Sequence, residues 1–176
     1  MDASDVFTRM FATSDLVAHS FALRSTLSVG EATDLVGWLA SEFMLARCAW
    51  FASAVAQVRG REHYVAFLHT DGRLAHAVAA AAPQFDPDNL RGYGCDILGR
   101  RPLSEMLLEM NSLNDHILVE VGHPAEANEF DDGELDAMID VASQLPWCAA
   151  LVGRPRPDPD GEKLLSAARR LGLKRP

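Results

Sequence analysis

His63-Tyr-Val-Ala-Phe-Leu-His-Thr70 and Arg73-Leu-Ala-His-Ala-Val-Ala-Ala80 flank the dipeptide Asp71-Gly72. Two apolar runs separated by a two-residue Asp-Gly loop read as a β-hairpin with a type I′ turn, because both loop positions need positive φ. The loop sets a register: Thr70 opposes Arg73, His69 opposes Leu74, Leu68 opposes Ala75 and Phe67 opposes His76. On that register Val65, Phe67 and His69 share one face with Leu74, His76 and Val78.

The chain on either side of the hairpin reads as helices and further strands. Upstream, Ser28 and Glu31 fit a capping box, and Thr33 to Val58 reads as one nearly continuous helix. Leu35, Leu39, Phe43 and Ala46 make one apolar stripe, and Cys48, Phe51, Val55 and Val58 make another, with Gly60 as the stop. Ser14-Asp15 cap a short lead-in helix through Val17, Phe21 and Leu23. Downstream, Pro83 to Asn89 reads as a loop, Gly92 to Gly99 as a third strand and Pro102 to Met110 as a helix. His116 to Val121 is a further strand. Asp131, Asp132 and Glu134 open a helix through Leu135, Met138, Ile139 and Ala142 that ends before Pro146. Trp147 to Val152 reads as a short final strand. Pro155, Pro157 and Pro159 form a stiff linker, and Gly161 to Leu173 a terminal helix. The expected organisation is one domain over residues 1–153 and a Pro-rich linker with a basic helix or tail over 154–176.

At 176 residues, 48% of them apolar, the chain can bury a core without disulfides or metals. Its net charge of −9 argues against nucleic acid and against anionic membrane surfaces as partners. The charge is uneven: residues 154–176 hold seven Lys/Arg and three Asp/Glu, a net of +4, which leaves −13 on the body. A protein partner would engage either the acidic body or the basic tail. The three cysteines, Cys48, Cys95 and Cys148, form no CxxC pair, so neither a zinc knuckle nor a dithiol motif is expected. Free thiols suit a reducing compartment. Met1 to Asp15 lacks an apolar signal core and no apolar run reaches transmembrane length, so the expected location is cytoplasmic, with signal-less export left open. No His/Asp/Glu spacing suggests a metal site, and Gly92-Tyr-Gly94 is too short for a phosphate loop, so no cofactor is expected.

Cys48, His76 and Asp96 are the candidate catalytic residues. A cysteine nucleophile needs a base to hold its thiolate, and the base needs a third group to fix its tautomer. Cys48 falls on the apolar face of a helix, His76 on the hairpin that would cover it, and Asp96 on the next strand.

Three pieces of this sequence resemble the papain-like and transglutaminase-like cysteine hydrolases. Cys48-Ala-Trp-Phe-Ala-Ser-Ala-Val55 is similar to their nucleophile helix, Asp71-Gly-Arg-Leu-Ala-His-Ala-Val78 to their turn and His strand, and Cys95-Asp-Ile-Leu-Gly-Arg-Arg-Pro-Leu103 to their Asp strand. The resemblance covers roughly residues 46–106. It implies an α+β fold, a nucleophile helix packed on an antiparallel sheet, here with an N-terminal helical lead-in and additional C-terminal helices. It implies thioester-forming attack on an amide or peptide carbonyl: a peptidase, an amidase, a glutamine deamidase or an acyl transferase, acting on a protein or peptide. Small stand-alone domains of this kind include bacterial effectors and toxins.

One departure separates two readings. In the family the nucleophile follows a loop, so that the helix N-terminus lowers the thiol pKa and supplies oxyanion amides. Here Ser41-Glu-Phe-Met-Leu-Ala-Arg-Cys48 contains no Gly, Pro or cap next to the cysteine. An unbroken helix favours a non-catalytic protein-binding or adaptor domain on the same scaffold; a break at Arg47 favours the enzyme. Coincidental residues would leave Cys48 and His76 more than about 6 Å apart, beyond hydrogen-bond reach. Ser41 is a polar neighbour by position alone, and His69 is the substitute base. His116 reads as structural, while His19, His63 and His123 have no nameable partners.

Overall fold

A computed structural model describes residues 18–19, 21–24, 26–60, 62–86, 91–109, 117–123, 130–131, 133–145, 148–153 and 160–173. Ser14, Asp15, Val17, the 87–90 stretch, Met110, His116, Asp132, Pro146, Trp147 and the prolines at 155, 157 and 159 lie outside the described residues.

The sheet grows outward from the hairpin. Strand β1 (His63–Thr70) pairs antiparallel with β2 (Arg73–Asp86). Asp71 at φ 50° and Gly72 at φ 73° give the turn the two positive φ values of type I′. Strands β3 (Arg91–Asp96), β4 (Gly99–Pro102) and β5 (Ile117–Gly122) complete a five-stranded antiparallel sheet in the order β4-β3-β2-β1-β5. The fold class is α+β, with five helices among the described residues: α1 (Val29–Ser41), α2 (Cys48–Arg59), α3 (Leu103–Glu109), α4 (Glu134–Gln144) and α5 (Gly161–Arg170).

The register differs from expectation beyond the first two pairs. A bulge takes up Ala75, so His76 stands opposite Leu68 and Phe67 stands opposite Ala77. Val65 therefore pairs with Ala79 and Ala66 with Val78, which puts Val65 and Val78 in separate cores rather than on one face. The first core lies between the sheet and α1, α2, α4 and α5, and contains Leu35, Leu39, Phe51, Val55, Val65 and Met138. The second gathers Ala66, Leu68, Val78, Leu103 and Met106 under α3.

Two other segments differ. β2 runs on to Asp86 where a loop from Pro83 was expected. The 149–152 stretch is a 3₁₀ turn, not a strand. Its backbone is satisfied locally, Leu151 N–H donating to Cys148 C=O at 2.8 Å, and Gly153 ends it at φ 65°. The Ser28–Glu31 capping box forms as read, as does the stop at Gly60. Ala18 and Phe21, both helical, are fully buried. Leu164, Ala167, Ala168, Leu171 and Leu173 sit in the first core, so the basic terminal helix folds back on the acidic body. Among the described residues no single helix is long and apolar enough to cross a membrane.

The largest departure is the break before Cys48. Thr33 to Val58 is not one helix. After α1 the chain makes five π-helical residues, Glu42–Ala46, and Arg47 then leaves the helical basin at φ −126°, ψ 28°. The helix axes on either side differ by 86°. No Gly or Pro drives this. A π segment inserts an extra residue into the ladder, here through the Arg47 N–H to Glu42 C=O bond at 2.8 Å. Tertiary contacts then hold the turn. Phe43 and Phe51 meet across the break at 5.9 Å. The Arg47 guanidinium lies 4.5 Å over the Trp50 ring, reaches Glu42 at 3.8 Å and donates to Leu171 C=O at 3.3 Å.

Candidate active site

The break makes Cys48 the first residue of α2. The opening amides of a helix have no intrahelical acceptor and carry the positive end of its dipole. The first bond of the new helix is Phe51 N–H to Arg47 C=O at 3.2 Å, which leaves the amides at Cys48, Ala49 and Trp50 outside the α2 ladder. Burial pushes the Cys48 thiol up. The neighbouring imidazole of His76, with the amides of Ala77 and Ala49, outweighs it and holds the thiol below its ordinary value of 9.0.

His76 sits on β2 beside the bulge and is 2% exposed. Its Nε2–H donates to Asp96 Oδ2 at 3.1 Å. Nδ1, the nitrogen not committed to Asp96, makes no hydrogen bond among the described residues and is the one left to act on the thiol. Burial pulls the imidazole down; Asp96 and Cys48 raise it further, to about 9. At neutral pH the imidazole is therefore protonated, and its charge favours the thiolate of Cys48.

Asp96 ends β3 and is likewise 2% exposed. Its two oxygens do different work. Oδ1 accepts the Leu98 amide at 2.9 Å, an Asx-type turn that carries the chain through Ile97-Leu98 into β4. Oδ2 accepts both His76 and Arg101 Nη2, the latter at 2.6 Å. Burial pushes the carboxyl up, but His76 and Arg101 together hold it below 3.8. The buried carboxylate survives here because both of its oxygens accept hydrogen bonds, one of them from an arginine.

The three predicted site residues thus come together. Arg101 was missed, although its signal is in the sequence. Once Ile97-Leu98 is read as a hairpin turn, Arg101 falls opposite Gly94, two residues from Asp96 on the same strand face. The amides of Ala49 and Ala77 carry no side-chain signature at all. Ser41 is exposed at the end of α1. His69 is engaged elsewhere, with Nε2 3.4 Å from Glu120 on β5. Cys148 is fully buried and donates to Ile97 C=O at 3.0 Å, and burial raises its thiol well above 9.0. Among the described residues no group of three or more His, Cys, Asp or Glu could hold a metal ion. The chain matches no family model, no curated protein and no solved structure.

Proposed function

We propose that the protein is a cysteine-dependent hydrolase, a peptidase, amidase or glutamine deamidase of the papain-like and transglutaminase-like kind, working in the cytoplasm on a protein or peptide. The observation that carries this reading is Cys48 at the start of a helix, its thiol held below 9.0 beside an imidazole hydrogen-bonded to a buried carboxylate. Sγ attacks the carbonyl carbon and forms the C–S bond. The oxyanion takes the N–H of Cys48 at the head of α2. His76 Nδ1 gives its proton to the leaving nitrogen, and the C–N bond breaks. His76 then takes a proton from water, whose oxygen attacks the thioester and releases the acid and the thiolate. Asp96 fixes the ring through Nε2 and stabilises its positive form.

A second reading has one observation of its own: Cys48 is 8% exposed and His76 2%. That degree of burial favours a non-catalytic protein-binding domain that keeps the same scaffold. Brief exposure of the full chain to iodoacetamide at neutral pH, with mass mapping, separates the two. The enzyme predicts fast labelling at Cys48, lost in His76→Ala, and a p-nitrophenyl acetate burst lost in Cys48→Ala. Cys48 as inert as Cys148, with no burst, rules out the hydrolase.

A further inference from the structure

Three neighbouring strands bring one ionisable group each to a single carboxylate oxygen. The order β4-β3-β2 sets Asp96 between Arg101 and His76. Oδ2 accepts Arg101 Nη2 at 2.6 Å and His76 Nε2 at 3.1 Å. Turning the carboxylate to give each group an oxygen of its own would break the 2.9 Å bond from the Leu98 amide to Oδ1. The guanidinium and the imidazole therefore stand within about 6 Å of each other, close enough for one charge to shift the other's protonation.

The proposed chemistry asks more of Asp96 than one orientation. His76 has to give up its proton and take one back in each turnover. Whenever the ring is neutral, a carboxylate only 2% exposed loses one of its two cationic neighbours. A buried carboxylate without a cation takes up a proton and becomes neutral. Arg101 prevents that, because a guanidinium keeps its charge at every pH at which proteins fold. Its side chain is 14% exposed, so salt screens it less than it would a surface pair. Arg101 also repels the imidazolium and holds the nearer place on Oδ2. Both effects let His76 release its proton more readily than it would beside Asp96 alone.

We propose that Arg101 is a positioning residue of the site: it holds Asp96 ionised and in place while His76 is neutral, and so keeps the imidazole able to release its proton. The proposal rests on the reading of Cys48, His76 and Asp96 as a catalytic unit. The other groups that face the pair do not supply this charge. His76 is faced by Cys48 from α2 and by Asp96 from β3. Asp96 is faced by His76 and Arg101, and by two thiols, Cys95 on its own strand and Cys148 before the 3₁₀ turn. Burial raises Cys95 to about 11 and Cys148 well above 9.0, so both are uncharged at neutral pH.

The readout is the proton on His76. The full chain carrying Cys48→Ala, with nitrogen-15 in its histidines, is titrated by NMR from about pH 6 to about pH 10.5. The His76 signal is identified by its loss in His76→Gln. Without the thiol one imidazole titrates in place of a coupled pair, with a midpoint below the value of about 9 to which Cys48 contributes. Arg101→Gln keeps an N–H donor for Oδ2 and removes the charge, and should move that midpoint up by about one pH unit. Arg101→Lys keeps the charge and should leave it within a few tenths of a unit. A side chain that only props the β3–β4 turn predicts no movement, or a fall as Asp96 swings away from the ring. An unchanged or lowered midpoint in Arg101→Gln overturns the proposal, as does a Lys variant displaced as far as the Gln variant. If Arg101→Gln does not fold, Arg101→Lys decides alone: a midpoint within those few tenths supports the proposal, and a larger shift in either direction overturns it. Failure of the hydrolase reading looks different, as a wild-type Cys48 inert to iodoacetamide whatever Arg101 does to His76.

Discussion

Asp96→Asn tests the pairing at the centre of the site. His76 rises from 6.5 to about 9 against the pull of its own burial, a preference for the imidazolium worth ~3 kcal/mol. Asp96 stands ahead of Cys48 among the causes, so its removal should cost at least ~1.5 kcal/mol of that preference, about a tenfold change in protonation equilibrium. Asparagine keeps an oxygen for the Leu98 amide, and so keeps the turn, but offers Nε2 no charge. The imidazole then holds its proton about tenfold less well, so the imidazolium beside the thiolate is lost about one pH unit lower than in wild type. The assay is the rate of iodoacetamide alkylation at Cys48 as a function of pH, with Cys95 as internal standard. Wild type should keep its imidazolium-paired thiolate up to about pH 9, and Asp96→Asn should move that upper change in rate down by about one pH unit. The variant also takes the carboxylate away from Arg101, a side chain 14% exposed, at a cost of up to about 3–5 kcal/mol. Adding Arg101→Met removes that charge and should recover stability without restoring the wild-type pH profile. Superimposable pH profiles for wild type and Asp96→Asn would refute the argument.

Three further outcomes follow from the same structure. Asp96 is held below 3.8 in the fold, so its stabilising contribution is complete above that value and lost as pH falls through the folded pKa. Urea titrations from about pH 5 down to about pH 2 should therefore steepen for wild type and flatten for Asp96→Asn, and parallel curves would contradict the linkage. A Cβ at Gly94 would lie 2.8 Å from Val78 Cγ2 and 3.0 Å from Met106 Sδ, so Gly94→Ala should lose about 1–3 kcal/mol in chemical denaturation. An unchanged midpoint would show that β3 yields more easily than its packing implies. Arg47→Ala removes the Trp50, Glu42 and Leu171 contacts that hold the helix break. It should slow Cys48 alkylation at neutral pH several-fold while the melting temperature falls by only about 4 °C or less; unaltered alkylation would mean that the break holds without its guanidinium.

Local chemistry was legible where one dipeptide or one cap decides the backbone. Asp71-Gly72, the Ser28–Glu31 box and Gly60 act over a few residues and left little to the rest of the chain. The register failed at the third pair because a bulge has no residue code; Ala75 is as ordinary in a straight ladder as in a bulged one. The second hairpin was hidden for a related reason. Ile97-Leu98 are poor turn formers by type, and the turn is made instead by the Asp96 side chain accepting the Leu98 amide. Asp96 therefore shapes the turn as well as orienting His76, and by forming that turn it brings Arg101 back against its own carboxylate.

The break at Arg47 is the most instructive miss. Ser41 to Cys48 contains good helix formers, and intrinsic propensity favours carrying the ladder straight through. Propensity differences along such a stretch are a few tenths of a kcal/mol per residue, whereas burying Phe43 and Phe51 on either side of a bend contributes ~2–3 kcal/mol each. Packing wins on magnitude, and a π segment makes the bend cheap because it shifts the hydrogen-bond pattern rather than abandoning it. A breaker-free sequence can thus still present a helix N-terminus. The deciding residues lie outside the stretch, in the Leu171 carbonyl that receives Arg47 and the core that receives the two rings. The C-terminal helix, which by charge alone reads as a solvated tail, is in that sense part of what puts Cys48 at the head of α2.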